Sequence, residues 1–227
     1  AASASPKRAK INAWFFKTAP GEYGAHDFFI GITMPEARRI AKKFQDILLA
    51  DAVKLLETRE HEHRMTALLI LIYKYNAGDK MLQKRIFDIY LSNTKHINNW
   101  DLVDVTAEHI VGAWLCDRRE KMAVLKKLAR SKSLWERRIA ILSTFHYLKR
   151  GSCTETLAVA ERLLHDEHDL IHKAVGWLLR EVSKRCGEKF EEEFLKRRYK
   201  TMPRTMLRYA IERFPEARRK KYLAGTI

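Results

Sequence analysis

A tryptophan and an aspartate, Trp100 and Asp104, stand four residues apart in the stretch formed by residues 96–104. Asn98 or Asn99 is a suitable N-cap for a helix that begins there, because a short amide side chain can accept a hydrogen bond from an unpaired backbone N–H. Residues four apart lie on the same side of a helix, so the indole and the carboxylate would face the same way. An ordinary apolar stripe does not require such a pair. We therefore treat it as a candidate for chemistry.

Two residues farther along the chain could complete such a site. Arg138 follows the start of a predicted helix, where its planar guanidinium could bind a phosphate through two hydrogen bonds. The electron-rich faces of Trp100 and Trp177 could bracket a sugar or base that carries positive charge. A carboxylate is a poor group for binding DNA, so Asp104 suggests stabilisation of a developing cation or orientation of a water. This set suits cleavage of an N-glycosidic bond through an oxocarbenium-like state.

Each of these residues also has an ordinary structural interpretation. An aspartate in the first turn of a helix more often compensates the helix dipole, which also applies to Asp101. Tryptophans at helical spacing more often belong to the core, and we assign Trp14, Trp114 and Trp135 to packing. Arg138 could lie on a solvated face. Pattern alone therefore favours the structural interpretation over catalysis.

The elements that must position these residues are all helices. No segment alternates with period two, and the few breaks are polar or contain Gly and Pro. We predict a short helix from Ile11 to Thr18, then a capping box at Thr33–Glu36 with a helix continuing to Leu49. Further helices are predicted over residues 51–57, 61–76, 79–92, 99–110, 112–129, 133–149, 154–164, 168–186, 188–197, 203–213 and 215–223.

Helix starts near His61, Asn99, Leu134, Leu170 and Arg204 recur roughly every 34 to 38 residues, the spacing of two-helix HEAT-like repeats. Stacked repeats form an α-solenoid, a curved superhelix whose concave face is built from equivalent helices. We expect that face to bring Trp100, Asp104, Arg138 and Trp177 onto one wall. Residues 1–10 are expected to be a disordered tail or expression remnant, and residues 11–227 a single domain.

The chain of 227 residues has 44 Lys plus Arg against 28 Asp plus Glu, a net charge of +16, and a pI near 9.8. Such a surplus attracts phosphate backbones independently of sequence. Three widely spaced cysteines match neither a disulfide framework nor a zinc site and favour a reducing cytoplasm. No apolar run is long enough to span a bilayer.

Metal chemistry has only weak candidates. His165, His168 and His172 fall at helix-compatible spacing, and the last two could clamp a metal. No convincing third ligand follows, so we predict no metal site. There is no Gly-rich phosphate loop either, and we predict no cofactor.

Several motifs, in order and with spacing kept, resemble the bacterial AlkD-type DNA alkylation repair glycosylases, which are built of HEAT-like repeats. The resemblance covers the chain from about Trp14 to Pro215. The segments that match are residues 20–24, 29–32 with 35–39, 98–104, 135–142 and 173–181.

The resemblance implies excision of cationic alkylpurines, such as 3-methyladenine and 7-methylguanine, from double-stranded DNA, with the lesion engaged through the backbone and without base flipping. By motif position it implies that Asp104 is the catalytic carboxylate, that Trp100 and Trp177 contact the sugar, and that Arg138 contacts the backbone. Further DNA-binding positions implied by the resemblance are Tyr23, Arg38 and Arg180.

The predicted function is thus a monofunctional DNA glycosylase that starts base excision repair. It would work without cofactor, metal or protein partner, as a monomer in the bacterial cytoplasm, associated with the nucleoid through DNA. The alternative is a non-catalytic HEAT-repeat protein that recognises distorted or branched DNA by shape. A HEAT-type protein scaffold is a third possibility, which the net charge of +16 disfavours. DNA affinity that falls steeply with salt would favour the DNA-binding protein over the protein scaffold.

Overall fold

Helices account for nearly all regular structure in the computed structural model, which describes residues 4–227. The only β-type pairing within that part of the chain is an isolated bridge between Phe28 and Glu60. The all-α prediction is therefore confirmed. None of the helices in residues 4–227 is both long and apolar enough to cross a bilayer.

The chain divides into two compact units, the first ending at Thr106 and the second running from Ala107 to Ile227. The expectation of a single domain over residues 11–227 stays a prediction.

The first unit contains α1 (Pro6–Phe15), α2 (Met34–Lys43), α3 (Leu49–Leu56), α4 (His61–Ala77), α5 (Lys80–Ser92), a 3₁₀ turn (Thr94–His96) and α6 (Trp100–Ala107), whose last residue belongs to the second unit. Helix α4 packs against α2, α3 and α5, and twelve of its residues are buried. It is the central helix of this unit.

The second unit contains a π-helical turn (Glu108–Gly112), α7 (Ala113–Leu115), α8 (Lys121–Ala129), α9 (Leu134–Ser143), α10 (Phe145–Leu148), α11 (Thr154–Arg162), α12 (Asp169–Cys186), α13 (Glu188–Lys196), α14 (Arg204–Ala210), a 3₁₀ turn (Ile211–Arg213) and α15 (Glu216–Ala224). Helix α12 packs against α9, α11, α13 and α14, so it occupies the centre of this unit.

Helix α1 begins earlier than predicted. The Ser5 side chain accepts a hydrogen bond from the Arg8 N–H, and Pro6 occupies the first turn, where a missing N–H costs nothing. Residues 6–10 are therefore helical, and the prediction of a disordered tail is wrong for them. The same prediction for residues 1–3 lies outside the described residues. The helix ends at Phe15, before the predicted end at Thr18.

The predicted start of α2 is confirmed, since Thr33 and Glu36 form the reciprocal hydrogen bonds of a capping box. The predicted break between residues 110 and 112 is wrong, because the helix continues through a π turn there. A Cβ atom on Gly112 would lie 2.3 Å from the carbonyl oxygen of Ser143. The glycine therefore permits close approach of α9, and the helical path ends only at Cys116.

The tryptophans assigned to packing have three different environments. Trp114 is buried, as predicted, and Trp135 is half-buried. Trp14 is 82% exposed, so its assignment to the core is wrong. Hydrophobic spacing along α1 identifies an apolar helix face but does not say whether another element covers it.

Candidate functional site

Trp100 is the first residue of α6 and is half-buried against aromatic rings of α1 and its C-cap. The Phe16 ring stacks on the indole, with centroids 5.1 Å apart and planes at 22°. Phe15 meets the indole edge-on at 5.9 Å. Offset stacking and edge contacts are the favoured aromatic geometries, so these two rings orient the indole of Trp100.

The stack continues from Trp100 into the unit. Phe16 stacks in turn on Phe29 with centroids 4.9 Å apart, and Phe29 stacks on the imidazole of His61 at 4.4 Å. Trp100 is therefore at the half-buried end of an aromatic row whose other end is a buried histidine.

That histidine joins two carboxylates. His61 Nε2 lies 2.8 Å from Asp101 Oδ2, and His61 Nδ1 lies 3.1 Å from Asp27 Oδ2. Asp27 also accepts hydrogen bonds from Arg64 and from the Asn99 amide. With a carboxylate oxygen at each ring nitrogen, the imidazole can donate on both sides only as the imidazolium. We call these five residues the His61 network.

The charges of the His61 network shift the pKa values of its members. Burial alone would lower the pKa of His61, but the carboxylates of Asp101 and Asp27 raise it to about 9. Burial alone would raise the pKa of Asp27, but His61, Arg64 and Asn99 lower it to about 2. Both groups are therefore ionised at neutral pH inside the first unit.

The His61 network also determines how α6 begins. Asn99 Oδ1 accepts from the Trp100 N–H at 2.7 Å, while its amide nitrogen donates to Asp27 at 2.5 Å. Of the two predicted capping residues, Asn99 is thus the one whose side chain bonds the helix start. Asp101 is an ion-pair partner of His61 as well as a charge near the positive end of the helix dipole.

Asp104 is half-buried one turn after Trp100 on α6. Burial raises the pKa of Tyr90 above its usual range, and the Asp104 carboxylate adds to that rise. The Tyr90 hydroxyl lies 2.8 Å from Thr106 Oγ1. Trp100 and Asp104 therefore lie one turn apart on α6 with both side chains half-buried, and their joint role stays a prediction.

A cavity of about 380 Å³ adjoins the His61 network. Its wall includes Phe16, Phe29, His61, Glu62 and Asp101. The carboxylate of Glu62 already accepts from the backbone N–H groups of residues 30 and 31, and Asp101 is bonded to His61. The carboxylates of this wall are therefore bonded within the protein.

In the second unit, Trp177 is half-buried on α12, and its ring lies 5.4 Å from that of Phe145. Lys149 and Arg185 approach the Phe145 ring at 4.7 and 4.9 Å. A Cβ atom on the preceding Gly176 would lie 2.4 Å from the carbonyl oxygen of Met206. Trp177 is therefore placed by a close approach of α12 and α14.

Arg138 is only 5% exposed, and its guanidinium donates to the Leu170 carbonyl at the start of α12. Its neighbour Arg137 forms a two-contact ion pair with Asp166. Arg138, which was predicted to bind the DNA backbone, therefore joins α9 to α12, the helix that bears Trp177.

The remaining predicted DNA-binding residues differ in exposure. Arg38 is exposed on α2, and Tyr23 is half-buried in the turn after α1. Arg180, one turn after Trp177, forms an ion pair with Glu212. Whether they contact DNA stays a prediction.

The histidine cluster has structural partners. His168 caps α12 by accepting from the Leu170 N–H, and His172 bonds the Asp166 carbonyl. His165 is exposed. Within residues 4–227, no group of three or more His, Cys, Asp or Glu side chains is arranged to hold a metal ion.

Sequence analysis missed the His61 network and the aromatic row. Asp27, His61 and Asn99 are separated by 34 to 72 residues, and no local pattern joins residues at such distances. The two adjacent rings of Phe15 and Phe16 could have suggested an aromatic partner for Trp100, but not which ring would stack.

Comparison with known proteins identifies one family. The model of the DNA alkylation repair enzyme family matches residues 1–214. A predicted DNA alkylation repair enzyme from Enterococcus faecalis has a similar structure, with a TM-score of 0.73 and 16% identity over 94% of this chain and 98% of that one. AlkD2 from Streptococcus mutans gives a TM-score of 0.59 and 18% identity over 81% of this chain and 91% of that one. No curated protein matches the chain. The structural likeness confirms the HEAT-like fold class.

Proposed function

Because the chain belongs to the DNA alkylation repair enzyme family, we propose that it is a monofunctional DNA glycosylase for cationic alkylpurines in duplex DNA. The bond broken is the N-glycosidic bond of lesions such as 3-methyladenine and 7-methylguanine. The proposed enzyme acts as a monomer and needs no metal, cofactor or protein partner.

The arrangement of Trp100 and Asp104 is the observation that supports this proposal most. Both side chains are half-buried, one helical turn apart, on a helix whose start is held by the buried ions of the His61 network. An oriented indole beside a carboxylate can stabilise positive charge on a sugar, through cation–π attraction and through direct electrostatics.

The proposed chemistry requires little acid catalysis. A purine alkylated to a cation leaves as a neutral base when the C1′–N bond breaks and both bonding electrons go to the base. The positive charge then develops on the deoxyribose, where Asp104 stabilises it and orients the attacking water. Water adds to C1′, its proton passes to solvent, and an abasic site remains.

In the second unit, we propose that Trp177 contacts the sugar and that Arg138 contacts the DNA backbone. Since Arg138 is buried and bonded to Leu170, we expect its substitution to lower stability as well as affinity. Tyr23, Arg38 and Arg180 are assigned to DNA binding, supported by the net charge of +16.

Release of free 7-methylguanine from methylated duplex DNA, with chelator present, tests this function. We expect Asp104→Asn to lower the release rate at least about 100-fold, because the amide cannot stabilise the sugar cation. Duplex affinity, measured by fluorescence anisotropy, should change little. Asp88→Asn is the matched control, since Asp88 is an exposed carboxylate paired with Lys84 on α5.

The outcomes separate the alternatives. Equal release by wild type and Asp104→Asn would remove Asp104 from the mechanism. Absence of release from the wild type, with duplex binding that weakens as salt rises, would replace the glycosylase with the non-catalytic, shape-recognising DNA binder.

A further inference from the structure

Helix α1 exposes an aromatic surface that the proposed chemistry does not use. Trp14 is 82% exposed, and Ile11 and Phe15 are 56% and 55% exposed. These residues are three and four apart, so they share one face of α1. An indole exposed this far gains nothing from the fold, and exposed apolar patches of this kind mark sites of interaction.

The charges on α1 itself and at Lys17 are all positive. Lys7, Arg8, Lys10 and Lys17 are exposed, and no Asp or Glu occurs in residues 6–19. Aromatic side chains interleaved with cations are typical of surfaces that bind nucleic acid, where the cations meet phosphates and the rings stack on bases. A protein partner would need an acidic surface to match these cations, whereas DNA supplies the negative charge in its backbone.

A groove of about 440 Å³ lies beside Trp14 at the end of α1, lined also by Phe15, Lys17 and Glu22. The Glu22 carboxylate accepts from the Ala19 N–H at 3.2 Å, so the single acidic group of the groove has a partner within the same turn. Lys17 has a φ of 53°, the only positive value at a non-glycine residue within residues 4–227. Its N–H donates to the Trp14 carbonyl, and its own carbonyl accepts from the Gly24 N–H at 3.0 Å. These bonds hold the backbone of Lys17 in this conformation at the edge of the groove.

This face is continuous with the candidate site of the first unit. Phe15, which lines the groove, also contacts the indole of Trp100 edge-on. A DNA strand that contacts Trp100 would therefore pass close to the groove beside Trp14.

We propose that the groove beside Trp14 binds a nucleotide of the DNA substrate that has lost its stacking partner next to the lesion. The Trp14 indole stacks on the exposed base, and Lys17 with the α1 cations neutralises the adjoining phosphates. This inference rests on the proposed function only in taking DNA as the substrate.

The test compares two duplexes of one sequence, one fully paired and one with an abasic-site analogue, beside which the flanking bases have lost a stacking neighbour. We expect Trp14→Ala to weaken binding of the second duplex about tenfold, because the exposed base loses the aromatic ring on which it stacks. Binding of the paired duplex should change less than about twofold. Trp14→Phe should restore most of the loss, because it retains a stacking ring.

Leu48→Ala is the matched control, since Leu48 is 71% exposed in the same unit but lies between Asp46 and Asp51. It should bind both duplexes as the wild type does. The thermal stability of all three variants should match the wild type, because neither side chain is buried.

Unchanged binding of both duplexes by Trp14→Ala would overturn this inference, and 7-methylguanine release by that variant would leave the proposed function intact. A wild-type dimer that Trp14→Ala converts to monomer, with unchanged DNA binding, would identify the face as a contact between two copies and overturn it too. Failure of the wild type to bind any duplex would overturn the proposed function and this inference together.

Discussion

Trp100 and Trp177 have the same proposed role, yet the two units hold them by different physical means. Trp100 depends on aromatic stacking and on the buried ions of the His61 network. Trp177 depends on the steric fit between α12 and α14 at Gly176, where a Cβ atom would meet the Met206 carbonyl oxygen and the Tyr209 Cβ atom. Ions respond to pH and to the loss of a partner, whereas a steric fit responds to added volume. A change of pH or loss of an ion should therefore destabilise the surroundings of Trp100, and added side-chain volume should destabilise those of Trp177.

The largest expected effect is on the His61 network. His61→Ala removes the cation between two carboxylates and leaves the buried Asp27 less compensated, which should lower the free energy of unfolding by about 3–5 kcal/mol. Chemical denaturation measures this loss. His63→Ala is the control, because His63 is on the same helix, is partly exposed, and pairs with Glu60. A similar small loss in both variants would contradict a structural role for the network.

The second prediction concerns pH. The pKa of His61 is raised from 6.5 to about 9. The contribution of His61 to the free energy of unfolding is therefore complete below pH 6.5 and is lost as pH rises through 9. The loss should be roughly 3 kcal/mol, because one pKa unit is worth about 1.4 kcal/mol.

The second unit has its own pH response, which must be separated from that of His61. Burial raises the pKa of Glu191 to about 8, and Glu188 and Glu192 add to the shift. The contribution of Glu191 to the free energy of unfolding is likewise lost as pH rises from its usual pKa of 4.5 through its raised pKa of about 8. Denaturation between pH 6.5 and 9.5 should therefore compare Glu191→Gln with the double variant that also carries His61→Ala. Burial also raises the pKa of the Cys116 and Cys186 thiols, but both proteins contain these thiols, so the difference between the two profiles is the contribution of His61. If adding His61→Ala leaves the profile of Glu191→Gln unchanged, His61 is not the group that titrates.

The third prediction tests the steric fit. Gly176→Ala would place a methyl group 2.4 Å from the Met206 carbonyl oxygen and should cost about 1–3 kcal/mol of stability. The loss should be the same at pH 6 and pH 9, because no charge is involved. If the loss of stability varied with pH as the contribution of His61 does, the two units would not hold their tryptophans by different means.

The smallest expected effect is at the surface of the second unit. Arg180 pairs with Glu212, whose side chain is 55% exposed. Glu212→Gln should change the free energy of unfolding by less than about 1 kcal/mol, since exposed ion pairs contribute little. A larger loss would mean that ions also support the helix of Trp177.

Local signals in the sequence predicted the helices well and their long-range partners poorly. The capping box at Thr33 and Glu36 lies within four residues, so the start of α2 could be recognised directly. The Ser5–Pro6 signal for α1 was also present, but the polar composition around it hid the helix. The role of Gly112 could not be predicted, because it depends on Ser143 in another helix.

In the candidate site, too, local features could be predicted and long-range contacts could not. The spacing of Trp100 and Asp104 predicted a shared helix face, and the structure has both side chains half-buried on α6. The exposure of Trp14 and the burial of Arg138 could not be predicted, because both depend on which elements cover a helix face.

The sequence separation within the His61 network has a consequence for how the protein folds. The bond from Asn99 to Asp27 closes a loop of 72 residues, and the bond from His61 to Asp101 closes one of 40. Loop closure costs entropy before the contact returns any free energy, so long-range contacts form late relative to single helices. The backbone around Trp100 should thus reach its final geometry among the last steps of folding. The ends of α6 should also exchange amide hydrogens earlier than the centre of α4 when the native protein opens.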